Sequence, residues 1–128
     1  MKSGQQISQS ELEVMQIIWR ENGTITLAPL LERLRQWGKT WKTNTVVTFL
    51  ARLVEKGFLT TKKQGRNNIY TSQGSEQDYI DSQAEAFLTK MYAGDAKELV
   101  ASLLNRECLT TDDIVELAEF WKKGRDTV

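Results

Sequence analysis

The chain has no histidine, one cysteine (Cys108), one proline (Pro29) and no net charge at neutral pH. The missing histidine removes the commonest general base and the commonest metal ligand. One cysteine cannot close an intrachain disulfide, and a zinc site around it would have to be completed by carboxylates. Asp112 and Asp113 are adjacent acids, but at the start of a helix their role is to complement the positive end of its dipole. No cofactor, metal or catalytic residue is therefore expected, and a small enzyme is disfavoured. No apolar run approaches the roughly 20 residues of a membrane-spanning helix. The opening MKSGQQISQS has no apolar segment after its lysine and does not read as a signal peptide. With so little cysteine, a cytoplasmic protein with a buried or idle thiol and no membrane insertion is expected.

The zero net charge conceals a division. Residues 1–73 hold 11 Lys/Arg against 5 Asp/Glu, while residues 74–128 hold 6 against 12. A surplus of six positive charges is thus followed by a deficit of the same size. Such asymmetry suggests one half that meets a polyanion and one that does not. A length of 128 residues, 40% of them apolar, suits one domain or a small domain with an appendage.

Ser8 and Glu11 fit a capping box, and Ile7 and Leu12 fit the hydrophobic staple around it. An apolar-rich first helix follows and stops at Asn22-Gly23. Thr24-Ile25-Thr26 is a short β-prone piece. Thr26 is placed to cap a second helix, with Pro29 in its first turn and Leu27, Leu30, Leu31 and Leu34 at helical spacing. The third helix is expected from about Thr43 to Lys56, with Gly57 as its C-cap glycine. On a helical wheel, Val46, Val47, Phe49, Leu50, Leu53 and Val54 fill one half. Asn44, Thr45, Thr48, Arg52 and Glu55 fill the other, with Ala51 among them. Asn and Thr are poor helix formers, so their place on a surface face wants a further reason.

Phe58–Lys63 reads as a strand, Gln64–Asn67 as a turn and Asn68–Thr71 as the returning strand. Three helices followed by a basic hairpin make a winged helix-turn-helix, with the third helix as reader and the hairpin as wing. Thr45, Thr48 and Arg52 are then placed to enter a major groove, with Asn44 at its edge. The alternative for Arg52 is a surface ion pair with Glu55 or Glu11. Lys62, Lys63 and Arg66 of the wing suit phosphates. Beyond a polar joint at Ser72–Ser75 come three amphipathic segments. Their stripes are Ile80, Phe87, Leu88 and Met91, then Leu99, Val100, Leu103 and Leu104, then Ile114, Leu117 and Trp121. These hardly make a core of their own, so two copies are expected to pack together. The fold class is mainly α with a small β-hairpin: a winged helix-turn-helix at 1–73 and a helical dimerisation region at 74–128.

The chain also resembles a known family. Ile7-Ser8-x-x-Glu11-x-Glu13-Val14-Met15-x-Ile17-Ile18-Trp19 is similar to the opening of the penicillinase and methicillin-resistance repressors, the BlaI/MecI/CopY type. Trp41-x-x-x-Thr45-Val46-x-Thr48-x-Leu50-x-Arg52-Leu53-Val54-x-Lys56-Gly57 resembles their reading helix. Lys63-x-Gly65-Arg66-x-x-x-Tyr70 resembles their wing, and Leu109-x-x-x-Asp113-Ile114-x-Glu116-Leu117 a late segment. The likeness spans about residues 7–121. It implies a dimeric repressor on a palindromic DNA operator, regulating antibiotic resistance, with Asn44, Thr45, Thr48 and Arg52 facing the DNA. Two departures stand out. The copper-responsive branch uses a cysteine cluster, and only Cys108 exists here. The antibiotic-responsive branch is released when a sensor metalloprotease cuts an Asn-Phe bond. The corresponding bond here is Ser102-Leu103, which keeps an apolar residue after the cut but not the asparagine. The competing readings are a winged helix used for protein–protein contact and a ligand-sensing regulator of another winged-helix family.

Overall fold

Ser8 starts the first helix by the reciprocal bonds its spacing to Glu11 predicts. In this computed structural model, which describes residues 6–126, Ser8 Oγ accepts the Glu11 N–H at 3.1 Å, and Glu11 Oε1 accepts the Ser8 N–H at 2.8 Å. Helix α1 (Gln9–Arg20) ends at Glu21, and Asn22 and Gly23 turn left-handed at φ 64° and 83°. The chain continues through β1 (Thr24–Thr26), α2 (Leu27–Gln36), α3 (Thr43–Glu55), β2 (Leu59–Gln64) and β3 (Asn67–Ser72). Thr26 does occupy the N-cap of α2, but its side chain makes no capping bond.

The sheet is antiparallel with order β1-β3-β2. Beyond the expected hairpin it has a third strand, because the β-prone piece pairs with β3 as Thr24↔Thr71, Ile25↔Tyr70 and Thr26↔Ile69. Ile25 and Tyr70 share the buried face, so the short strand is held by packing as much as by its ladder. Gln64 pairs with Asn67, leaving Gly65-Arg66 as a two-residue loop. Gly65 has φ 64°, and a tight hairpin needs positive φ at its first loop position.

The core lies between the three helices and the sheet. Val14, Met15 and Ile18 of α1, Leu30 of α2, and Val46, Leu50 and Leu53 of α3 are fully buried, and Phe58 and Leu59 close the base. Burial of each such side chain contributes about 1.5–3 kcal/mol. One charge lies among them: the Glu11 side chain is 1% exposed, and Lys56 Nζ donates to its Oε1 at 2.8 Å. This pair ties the start of α1 to the end of α3.

The joint at Ser72–Ser75 is held rather than free. The Trp19 indole N–H donates to Ser72 Oγ at 2.9 Å and to Gly74 O at 3.1 Å. Tyr79, in the first turns of α4 (Glu76–Tyr92), packs against Trp19 and Phe58 with ring centroids 5.7 Å away in each case. The first compact unit therefore reaches Gln83, inside α4, and the second begins at Ala84.

The second unit holds the rest of α4, α5 (Ala96–Asn105) and α6 (Thr111–Asp126). Ala93 and Gly94 turn left-handed after α4, and Asp95 Oδ1 accepts the Glu98 N–H to cap α5. After α5, the Cys108 and Glu107 N–H groups bond Leu103 O and Leu104 O at 2.9 and 3.1 Å, a Schellman closure with Glu107 at φ 61°. Thr110 caps α6: its Oγ accepts the Asp113 N–H at 3.1 Å while Asp113 Oδ2 accepts the Thr110 N–H at 2.9 Å. Those bonds hold the Asp113 carboxyl below the usual carboxylate range. No described side chain of this unit is fully buried.

Candidate nucleic-acid interface

Packing of Val46, Leu50 and Leu53 into the core turns the opposite side of α3 to solvent. Asn44, Thr48 and Arg52 form one exposed row at i, i+4 spacing. Thr45 lies at the edge of that row and is half-buried. Thr48 Oγ donates to Asn44 O at 3.0 Å. The hydroxyl proton is thereby used within the helix, and the lone pairs and methyl of Thr48 remain for a ligand. The ion pair considered for Arg52 does not form: Glu11 is taken by Lys56, and Arg52 has no ion pair among the described residues. Val47 departs from the wheel reading. Assigned to the apolar half, it is 39% exposed, because α3 buries a narrower stripe than half its circumference.

The cations of residues 6–73 divide into two sets. Arg33 pairs with Glu21, Arg35 with Glu32, Lys39 with Glu13 and Lys56 with Glu11, and Arg20 stacks on Trp37 at 4.9 Å. Lys42, Arg52, Lys62, Lys63 and Arg66 form no ion pair among the described residues. Lys42 is the N-cap of α3, Arg52 lies in its exposed row, and the other three are on the hairpin. The first turn of α3 carries no acidic residue and no capping side chain. Its free N–H groups and dipole favour an anion at that end. The hairpin cations do not all share one side. Lys62 stands opposite Ile69 and Lys63 opposite Asn68, so strand alternation sends the two lysines to opposite faces of the wing. Arg66 sits at the tip between them.

The stripes assigned to dimerisation fall in both units. Ile80 belongs to the first unit and is exposed. In the second, Phe87, Met91, Leu117 and Trp121 are exposed, while Leu88, Leu99, Val100, Leu103, Leu104 and Ile114 are half-buried. Sequence reading missed Val115 and Phe120, the latter 75% exposed. Phe120 lies about 60° from Leu117 on the wheel, so a wider apolar arc would have included it. Leu109, Asp113, Glu116, Leu117 and Phe120 line an open groove. Ser102 and Leu103 lie inside α5 and are half-buried. The Cys108 thiol is exposed. No group of three or more His, Cys, Asp or Glu side chains is placed to hold a metal ion, and no helix is long and apolar enough to cross a membrane, among the described residues.

Comparison with known proteins agrees with this geometry. The profile of the family described as "Penicillinase repressor" matches residues 7–123. The penicillinase repressor of Bacillus licheniformis is 34% identical over 126 residues, covering 98% of this chain and 97% of that protein. The methicillin resistance regulatory protein MecI of Staphylococcus aureus (strain N315) is 33% identical over 118 residues, covering 92% of this chain and 94% of its own. The solution structure of the Bacillus licheniformis BlaI monomeric form in complex with the blaP half-operator is 41% identical to this chain. It superposes with a TM-score of 0.51, covering 62% of this chain and 95% of that one.

Proposed function

This chain belongs to the penicillinase repressor family, and we propose that it is a DNA-binding transcriptional repressor acting as a dimer on an inverted-repeat operator. The observation that carries the reading is the segregation of its cations. Among the described residues, those on the rest of the winged unit are neutralised by carboxylates or stacked, and the unpaired ones gather at α3 and the hairpin. Duplex DNA rewards that arrangement, because each neutralised phosphate releases counterions. The Asn44, Thr48 and Arg52 row enters the major groove, with Thr45 at its margin, and reads base edges there. Lys62, Lys63 and Arg66 follow the backbone on either side of the wing. Because the two lysines face apart, the wing straddles phosphates instead of laying one flat side on them.

Dimerisation is supported by the second unit's lack of a core. Its exposed Phe87, Met91, Leu117, Phe120 and Trp121 would cost too much in water if left uncovered. A ligand-sensing regulator would use the groove at Leu109, Leu117 and Phe120, but a second copy covers that groove and the neighbouring stripe together. One winged unit binds few bases, and joining two makes the second binding event effectively intramolecular, a gain of about 10²–10⁴. Release by a sensor metalloprotease is part of the proposal. The bond Ser102-Leu103 is helical, and a protease needs it extended, so cutting requires α5 to unwind. Within one protomer α5 has no fully buried side chain, so the dimer contact is the main restraint on its unwinding.

Selection of bound fragments from a random duplex pool by the purified protein tests this reading. The expected result is an inverted repeat whose half-sites are centred one helical turn apart or a multiple of it, about 10 base pairs. A pool that stays random through repeated rounds would contradict it.

A further inference from the structure

Val47 is an aliphatic side chain in an unusual place. Among the described residues before α4, the large hydrophobic side chains left exposed are Val47 and Trp37. Trp37 is covered by the Arg20 guanidinium, 4.9 Å from its ring. Val47 has no such cover. It is β-branched and a weaker helix former than alanine, so the helix itself gives no reason for it. Its neighbour one turn on is Ala51, also exposed and apolar. Val47 and Ala51 form a ridge at i, i+4 spacing. On the wheel it flanks the Asn44 edge of the row of Asn44, Thr48 and Arg52, with Val47 about 60° from Asn44 and Ala51 about 60° from Thr48. Thr48 adds to the same character, since its hydroxyl proton is spent on Asn44 O and its methyl stays outward.

A surface that enters a major groove with an apolar ridge beside its polar row matches one feature of the groove. Thymine alone among the four bases presents a C5 methyl there. We propose that Val47, with Ala51, is a specificity-determining contact that recognises thymine methyl groups on the Asn44 side of the reading row. The inference rests on the DNA-reading function proposed above and deepens it: the operator half-site must carry at least one thymine whose methyl meets Val47. Charge complementarity fixes the occupant, because Arg52 of α3 and Lys42 at its N-cap form no ion pair among the described residues and point to a polyanion rather than to an apolar protein surface.

The test uses the full chain and the duplex obtained by selection. Each thymine of a half-site is replaced in turn by deoxyuridine, which lacks only the C5 methyl, in both half-sites where both are present. Affinity is read by fluorescence anisotropy at fixed salt. At one or two positions uracil is expected to weaken binding by about fourfold per half-site, the factor for withdrawing one buried methyl-sized group. In Val47→Ala, which alters no buried core residue, that penalty should shrink towards onefold at the same positions. Uracil tolerated within twofold at every position would overturn the inference while leaving the DNA-reading function standing. An undiminished uracil penalty in Val47→Ala would overturn it too, by placing the methyl contact on another residue. If selection yields no preferred duplex, the functional reading fails and takes this inference with it.

Discussion

Replacing Lys63 and Arg66 by glutamine tests the wing through a slope as well as an affinity. Both side chains are exposed, and neither forms an ion pair among the described residues, so the change removes charge and little else. Each phosphate that is no longer neutralised reduces the slope of log K against log salt by about 0.9. A single winged unit on a half-site leaves two phosphates bare, so its slope should fall by about 1.8. A dimer on two half-sites leaves four bare, and its slope should fall by about 3.6. Between 50 and 200 mM salt this makes the wild type lose about 12-fold more affinity than the variant on a half-site, and about 150-fold more on the full site. Anisotropy titrations across a potassium chloride series measure both slopes. Thermal melting of the two proteins should coincide, because no buried group changes. Parallel slopes with equal affinities would refute the reasoning and reduce the wing to a solubilising hairpin.

Leu103→Asp should give monomers by sedimentation whose winged units stay folded. They should bind a single half-site nearly as the wild type does and the double site far more weakly; a stable dimer in this variant would contradict the assignment of α5 to the interface. Glu11→Ala should destabilise the winged unit by about 3 kcal/mol, the low end for a broken buried pair because Lys56 is 28% exposed. Burial alone would raise the Glu11 carboxyl, but the Lys56 and Ser8 bonds outweigh it and hold the pKa below 4.5. Its stabilisation is therefore present above pH 4.5 and lost as pH falls through the lower folded value. Urea unfolding against pH should show that acid loss in the wild type and a smaller one in Glu11→Gln; matching profiles would contradict it. Glu107→Gly relieves a left-handed residue at φ 61° and should raise stability by up to about 1 kcal/mol, read by thermal melting. A lower melting temperature would show that Glu107 makes an interaction worth more than its strain.

Much of the local geometry of the candidate face was legible because its signals are local. The Ser8–Glu11 spacing, the polar row of Asn44, Thr48 and Arg52, and Gly65 in the hairpin each act within a turn or two of chain. What escaped depends on distant partners. Thr24–Thr26 becomes a strand because Tyr70, 45 positions after Ile25, offers a buried face for it. Lys56 rather than Arg52 takes Glu11, since only the folded packing of α1 against α3 brings Lys56 Nζ within 2.8 Å of Glu11 Oε1. The clamp of Trp19 on Ser72 and Gly74, and the packing of Tyr79, draw the first turns of α4 into the winged unit although composition changes at residue 74. Val47 was misplaced because an even division of the wheel overstates how much of α3 its neighbours cover.

Arg52→Ala, measured side by side on the selected duplex and on a random one, tests most directly whether α3 reads sequence. Arg52 is exposed, lies in the row with Thr48 and makes no ion pair among the described residues, so its loss should leave the fold intact. Binding to the selected duplex should weaken by about 1–3 kcal/mol, and to the random duplex by much less. Equal loss on both would make Arg52 a phosphate contact and contradict base reading by this face of the helix.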